Sequence, residues 1–245
     1  VIYVEKTSAV NPDSALIYQK YIIALSNDSI MQVEKLEPAA TRAYHELERL
    51  IVTLELAPGS VATEGGLIDR LGLGRTPVRE AIQRLAWEGL VEIRPRAGLA
   101  IAPLHPGDWL RVLDARRGIE VVLARSAARF VTRDAANQFH AAALAMQKAV
   151  ISADVLGFLE ADKALDEALA LAADNDFAAR LAAPLQTHSR RFWFRYQRDT
   201  GLAASAEHHV ALIRSILEHD EDGAAQEAER LMSMLRAHAE AAATR

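Results

Sequence analysis

Hydrophobic positions fall into two regimes along the chain. Between residues 36 and 103 they come in short stretches punctuated by glycine and proline; after residue 108 they recur every three or four positions almost without a break. The first regime predicts a helix over 38–56, with Leu47, Leu50, Ile51 and Leu54 on one face, closed by Pro58-Gly59. A short second helix runs from a Thr63 cap, with Glu64 in its first turn, to about Leu71. Gly72-Leu73-Gly74 turns the chain into a third helix, 75–88, which tolerates Pro77 near its start and carries Val78, Ala81, Ile82 and Leu85 on its apolar face. Gly89 stops it. The runs 91–93 and 99–101 flank Pro95-Arg96-Ala97-Gly98 and read as a β-hairpin.

Pro103 and Pro106-Gly107 mark a linker, and the second regime predicts six helices near 108–131, 134–151, 154–172, 176–198, 205–219 and 223–242. Asp134, Asp154, Ser205 and Asp222 are the expected N-caps, and Pro184 is expected to kink the fourth of these helices rather than end it. The expected fold is mostly α: a winged helix-turn-helix over 36–103 and an all-α bundle of about six helices over 108–245. They follow an N-terminal extension, 1–35, in which 1–4 suggests a short strand and 15–25 an apolar packing segment.

Composition narrows the function. At 245 residues and 51% hydrophobic the chain can build a packed core, and no stretch approaches the roughly 20 apolar residues of a membrane span. The absence of cysteine excludes disulfides, thiol nucleophiles and thiolate zinc sites, and fits a reducing cytosol. The opening residues lack the charged start and small-residue cleavage site of a signal peptide, so a cytoplasmic location is expected. A net charge of −5 excludes general coating of nucleic acid, and residues 36–103 hold eight arginines against nine carboxylates. The basic excess is local: Arg75, Arg79, Arg84, Arg94 and Arg96 against Glu80, Glu88 and Glu92.

A winged helix-turn-helix offers the N-terminal end of its second paired helix to the major groove. Here that end reads Arg75-Thr76-Pro77-Val78-Arg79. Arg75 and Arg79, one turn apart, share a face from which they reach phosphates or guanine edges, and Thr76 adds a hydroxyl. Free N–H groups of the first turn favour a phosphate. Arg94 and Arg96 sit at the hairpin tip, where Gly98 permits close approach. The bland alternative is a set of ordinary surface arginines.

The stretch 54–102 resembles the DNA-binding domain of GntR-type bacterial transcription regulators. The likeness rests on Pro58-Gly59, Leu67, Leu71-Gly72, Arg75-Thr76-Pro77-Val78-Arg79-Glu80-Ala81, Leu85, Gly89-Leu90-Val91, Pro95 and Gly98. Gly74 departs from the family's serine and loses a capping or phosphate-binding hydroxyl. The resemblance implies that Arg75, Thr76 and Arg79 contact operator DNA, with Arg94, Arg96 and Gly98 on the wing. It also implies a homodimer on a palindromic double-stranded site.

Residues 108–243 resemble, more loosely, the helical FCD effector domain of the FadR-like branch. The matching words are Arg116-x-x-x-Glu120, Phe158-Leu159-x-x-Asp162, Ala173-Asp174-Asn175, His209-x-x-Leu212-Ile213 and Asp220-x-x-x-Ala224. Many members of that branch hold a divalent metal ion with an Asp-x-x-x-His pair and two later histidines. Asp162 and His209 match, Asp166 replaces the paired histidine, and Leu231 falls where the last would be. Asp162 and Asp166 share a helix face and can ligate a hard cation through oxygen. The loss of two imidazoles argues against zinc or nickel, with His188, His208 and His238 as substitutes; the alternative is a solvated carboxylate pair with surface histidines.

A small-molecule effector, expected to be a carboxylate, has two candidate anchors. Arg116 lies in an apolar helix, with Glu120 its expected internal partner. His188, Arg191 and Arg195 follow one another on one face beside Phe192 and Trp193, unless that face is simply arginine-rich surface with Trp193 in the core. Alanine-rich faces at 124–128 and 141–145 suit dimerisation. A ligand-responsive DNA-binding regulator, not an enzyme, is therefore expected. The rivals are an all-α metal-dependent enzyme using Asp162, Asp166 and His209, and a pure interaction module. The enzyme lacks a His-Glu-x-x-His motif and a phosphate loop ending in Lys-Ser/Thr.

Overall fold

The computed structural model describes residues 37–96, 98–197 and 201–244, so the strand and packing segment expected within 1–35 lie outside the described residues. Helix α1, Ala39–Val52, buries Ala43, Tyr44, Leu47, Leu50 and Ile51. It ends four residues earlier than its pattern predicts, because Leu54 turns to a φ of 61° and the Leu56 N–H reaches back to Leu50 O at 2.9 Å. Strand β1, Val61–Ala62, was not foreseen; two residues are too short to show a period.

Helix α2, Glu64–Leu71, is capped as expected by Thr63, whose hydroxyl accepts from Gly66 N, and it closes on Gly72 at φ 63°. Helix α3, Arg75–Trp87, buries the expected stripe of Val78, Ala81, Ile82 and Leu85. Tyr44 fixes it against α1: the Tyr44 hydroxyl donates to Glu88 at 2.8 Å, and the Arg84 guanidinium lies 3.6 Å over the Tyr44 ring. Strands β2, Val91–Arg94, and β3, Gly98–Ile101, form the hairpin, and β1 adds to its far side in the order β1-β3-β2, all antiparallel.

Gly98 is needed for this sheet. It sits at φ 92° opposite Arg94, and a Cβ there would lie 2.6 Å from Ala62 O of β1. The demand is internal to the wing, a different reason from the groove approach that the sequence suggested.

The bundle is built from α4 (Pro106–Phe130), α5 (Arg133–Ser152), α6 (Val155–Ala172), α7 (Asp176–Tyr196), α8 (Leu202–Leu217) and α9 (Glu221–Ala243). Asp154 caps α6 as expected, but Thr132 caps α5 and Asp220 caps α9 in place of Asp134 and Asp222, while Gly201 precedes α8 in place of Ser205. In each capped case the side chain accepts from an N–H three residues on. Helix α7 runs through Pro184 without ending. Trp109, Leu123, Phe139, Met146, Phe158 and Leu169 anchor the bundle core, and Ala124, Ala127 and Ala128 are sealed inside it. The alanines of 124–128 are therefore spent on the bundle's own packing and are not available to a second chain. No described helix is long and apolar enough to cross a membrane.

Helix α7 joins the two lobes. His188 Nε2 donates to Glu88 O at 2.8 Å, at the end of α3. Arg191, almost fully buried, donates to Ala102 O at 2.6 Å in the segment after β3. Burial holds the His188 pKa below the ordinary histidine value, with the nearby Arg191 charge adding to the effect.

Gly98→Ala is expected to cost about 1–3 kcal/mol through the positive φ and the clash with Ala62, read as a lower urea midpoint. His188 gives a pH prediction. Its folded pKa is depressed, so between that value and about 6.5 the unfolded chain binds more protons, and stability falls as pH drops below about 6.5. His188→Gln retains an N–H donor for Glu88 O and should show a smaller fall in urea midpoint between pH 7.5 and 5.5 than the parent chain.

Candidate functional site

Two sites emerge, one on the surface of the first lobe and one inside the bundle. Burial of Val78, Ala81, Ile82 and Leu85 turns the opposite face of α3 outward, and Arg75, Thr76 and Arg79 are all exposed. Gly74 precedes the helix with no side-chain capping bond, so no side chain there covers the first-turn N–H groups. Arg79 pairs with Glu64 at 2.9 Å across the turn, and Arg94 pairs with Glu92 at 2.8 Å on β2. Among the described residues Arg75 and Arg96 have no carboxylate partner, and Arg96 is carried at the hairpin tip in the left-handed region, at φ 64°. The surface thus offers two uncommitted guanidiniums and two more held by carboxylates, Glu64 half-buried and Glu92 exposed, that water or phosphate can replace. Arg84 belongs to the internal contact with Tyr44 and Glu88, away from this surface.

The second site is a cavity of about 20 Å³ lined by Arg116, Phe158, Asp162, Arg190, Trp193, Ser205 and His209. His209 Nδ1 donates to Ser205 O at 2.6 Å and its Nε2 lies 2.9 Å from Asp162 Oδ1. Burial opposes charging of His209, but the bond to Asp162 and that carboxylate's charge raise its pKa above the ordinary value. The pair is an imidazolium–carboxylate contact. Ser205 Oγ is buried at the cavity wall and has no hydrogen-bond partner among the described residues.

Around the cavity runs a buried ionic network. Arg116 points inward as expected and donates to Glu120 at 2.6 Å, with Asp166 3.7 Å away. Gln186 donates to the same Glu120 oxygen at 3.0 Å. Arg190 is bonded to Asp166, lies 3.7 Å from Asp162 and 3.5 Å from Glu48, and donates to Thr187 at 3.1 Å. Glu48 also accepts from Thr187 at 2.6 Å and from Lys163. Burial alone would raise the Glu48 pKa, yet bonds from His45 and Lys163 and the Arg190 charge hold it well below the carboxylate range. Arg116, Arg190, Lys163 and His209 thus face Glu48, Glu120, Asp162 and Asp166.

The residues present do not fit the metal that the family resemblance implies. Asp162 and His209 do meet, but they spend their facing atoms on each other. Asp166 is spent on Arg190, and a guanidinium at hydrogen-bond distance repels a divalent cation from the same carboxylate. Leu231 is buried in the apolar core. Among the described residues no three ligating side chains are grouped to hold an ion. His188 is engaged at Glu88, and His238 stands apart, its pKa lowered by burial and by His208.

The proposed cluster of His188, Arg191 and Arg195 is not brought together as an anion site. His188 and Arg191 clamp the first lobe, and Arg195 is exposed with its guanidinium 5.8 Å from the Tyr196 ring. Trp193 is buried against Phe158, ring centroids 5.1 Å apart. Sequence reasoning passed over Arg190, Glu48, Thr187 and Lys163, and took Ser205 only as a helix cap. A signal existed for Glu48, a carboxylate set within the apolar stripe of Leu47, Leu50 and Ile51; Arg190 was hidden by its neighbour Arg191.

Comparison with known proteins agrees with this architecture. Residues 39–101 match the family described as bacterial regulatory proteins, gntR family, and residues 111–240 match the FCD domain. An HTH-type transcriptional regulator from Agrobacterium vitis is 32% identical over 151 residues, covering 59% of this chain and 84% of its own length. The HTH-type transcriptional repressor RspR of Escherichia coli K12 is 30% identical over 152 residues, covering 60% of this chain and 64% of its own length. A regulator from Streptomyces ambofaciens is 42% identical over 73 residues, 30% of each chain. Among solved structures, E. coli McbR/YncC superposes with a TM-score of 0.72 at 16% identity, covering 84% of this chain and 99% of that one. A GntR regulator from Rhodococcus sp. RHA1 gives 0.64 at 18% identity, covering 83% and 98%. With an outward recognition helix, a wing and an enclosed helical domain all in place, the chain belongs to the gntR family of bacterial transcription regulators, as a member with a C-terminal FCD domain rather than an enzyme.

Proposed function

We propose that two copies of this chain bind a palindromic operator in double-stranded DNA, each inserting the start of α3 into a major groove, with DNA affinity set by a small organic acid taken up in the bundle cavity. The observation that carries the reading is the two-faced character of α3: its apolar stripe is buried while Arg75, Thr76 and Arg79 stand outward at a helix start that no side chain caps. Arg94 and Arg96 extend the same basic rim along the wing. One such helix reads only a few base pairs, so a specific site calls for two.

A groove of about 580 Å³ between α5 and α6, with Ala141, Ala145, Ala161 and Ala164 in its wall, supports pairing through the bundle, since small side chains admit a close partner helix. The effector reading rests on Arg116 and Arg190 at the cavity and on the unpartnered Ser205 hydroxyl, groups that suit a carboxylate. Ligand binding at such a site shifts DNA affinity by the difference in its own affinity for the two states of the protein. A regulator of this kind works in the cytoplasm.

Selection from a random duplex pool tests the whole reading: a recovered inverted repeat supports it, and recovery no better than random sequence refutes it. On the recovered duplex, Arg79→Ala should weaken binding by about 1–3 kcal/mol in a mobility-shift titration at fixed salt. Arg96→Ala should weaken binding to all duplexes alike and reduce the slope of log affinity against log salt by about 1, as expected for one lost phosphate contact.

A further inference from the structure

The cavity as it stands holds about one water, at roughly 20 Å³. Any organic acid is larger, so entry requires a wall to withdraw. Most of the wall is pinned. Asp162 is tied to His209, His209 to its own helix at Ser205 O, Arg116 to Glu120, and Phe158 to Trp193. Arg190 is bonded too, to Asp166 and Thr187, but it differs in position: its long jointed side chain borders this cavity and also both clefts on the α1 side of the bundle, so a guanidinium pushed off Asp166 has open volume beside it.

That same guanidinium is the one facing Glu48 of α1, directly at 3.5 Å and through Thr187, which accepts from Arg190 and donates to Glu48. Asp166 meets Arg190 and Arg116, and among the described residues it forms no ion pair with α1. Lys163, His188 and Arg191 also bond the first lobe, but Arg190 is the side chain that borders the cavity and faces Glu48 at once.

We propose that Arg190 is the positioning residue through which occupancy of the cavity is passed to the DNA-binding domain: an entering ligand displaces its guanidinium from Asp162 and Asp166, and the displacement changes the hold on Glu48. This rests on the reading that the bundle cavity is the effector site. It goes further in naming the side chain that carries the signal and the helix that receives it. A contact shared between two anions makes the states of those anions interdependent, which is the thermodynamic content of coupling.

The test needs no effector. Asp166→Asn and Glu48→Gln are made singly and together in the full chain. Operator affinity is measured by fluorescence anisotropy on the duplex recovered from the random pool, with folding checked by circular dichroism. Asp166→Asn should change the Kd at least threefold in the parent chain and less than 1.5-fold in the Glu48→Gln chain. Asp166→Glu, which keeps the charge, should return the parent value. If Asp166→Asn does not fold, Arg190→Lys, which retains the charge but loses the fork, is read against Glu48→Gln instead. Equal fold-changes in both backgrounds, or no change in the parent, would overturn the proposal.

Calorimetric titration with malonate on the same proteins separates the two readings. Coupling with no malonate heat supports the Arg190 link and counts against the organic-acid cavity. Malonate binding that shifts operator affinity equally in the parent and Glu48→Gln chains leaves the cavity reading standing and overturns the link.

Discussion

A guanidinium removed from water must be met by anions, because its dehydration unanswered costs more than packing returns. Arg190, only 8% exposed, imposes that demand where the bundle meets α1. It is answered by Asp162 and Asp166 from α6, Glu48 from α1 and the Thr187 hydroxyl from its own helix. Three helices are thereby brought to one point, and they come from both lobes. Removal of any one partner leaves the others with an uncompensated buried charge, so the network acts as a unit and not as a sum of separate bridges. Arg116 and Glu120 repeat the arrangement one layer away.

On the first lobe the governing constraint is simpler. An amphipathic helix buries one stripe and must show the other, and in α3 the buried stripe begins at Val78. The residues before and between its members are therefore delivered to the surface whatever their identity. Here they are two arginines and a threonine. Glycine at position 74 leaves the helix start without a capping hydroxyl, so the first-turn N–H groups keep their capacity for an outside acceptor at the expense of some helix stability.

Much of this was legible in the sequence because the signals were local. Periodicity placed every described helix to within a few residues, the Thr63 and Asp154 caps announced α2 and α6, and the glycine and proline spacing announced the hairpin. The inward aim of Arg116 and its pairing with Glu120 followed from a four-residue spacing on an apolar helix. What could not be read was contact between distant segments. Glu48 and Arg190 are 142 positions apart, and no pattern around either names the other. His188, Arg191 and Arg195 share a helix face and so suggested one site. Their partners, Glu88, Ala102 and Tyr196, lie in different places and disperse them. The exchanged caps at Thr132 and Asp220 show a smaller version of the same difficulty: acids and hydroxyls two residues apart are chemically equivalent, and tertiary packing chooses between them.

The segment between the wing and the bundle is short. Its Ala102 carbonyl is gripped by Arg191, and within four residues Pro106 fixes the backbone at the start of α4. A connection with so little slack behaves as a stiff lever. A tilt of α7 would reach the wing through that grip with little loop between to absorb it, so the packing of the six helices bears directly on how the recognition helix is presented.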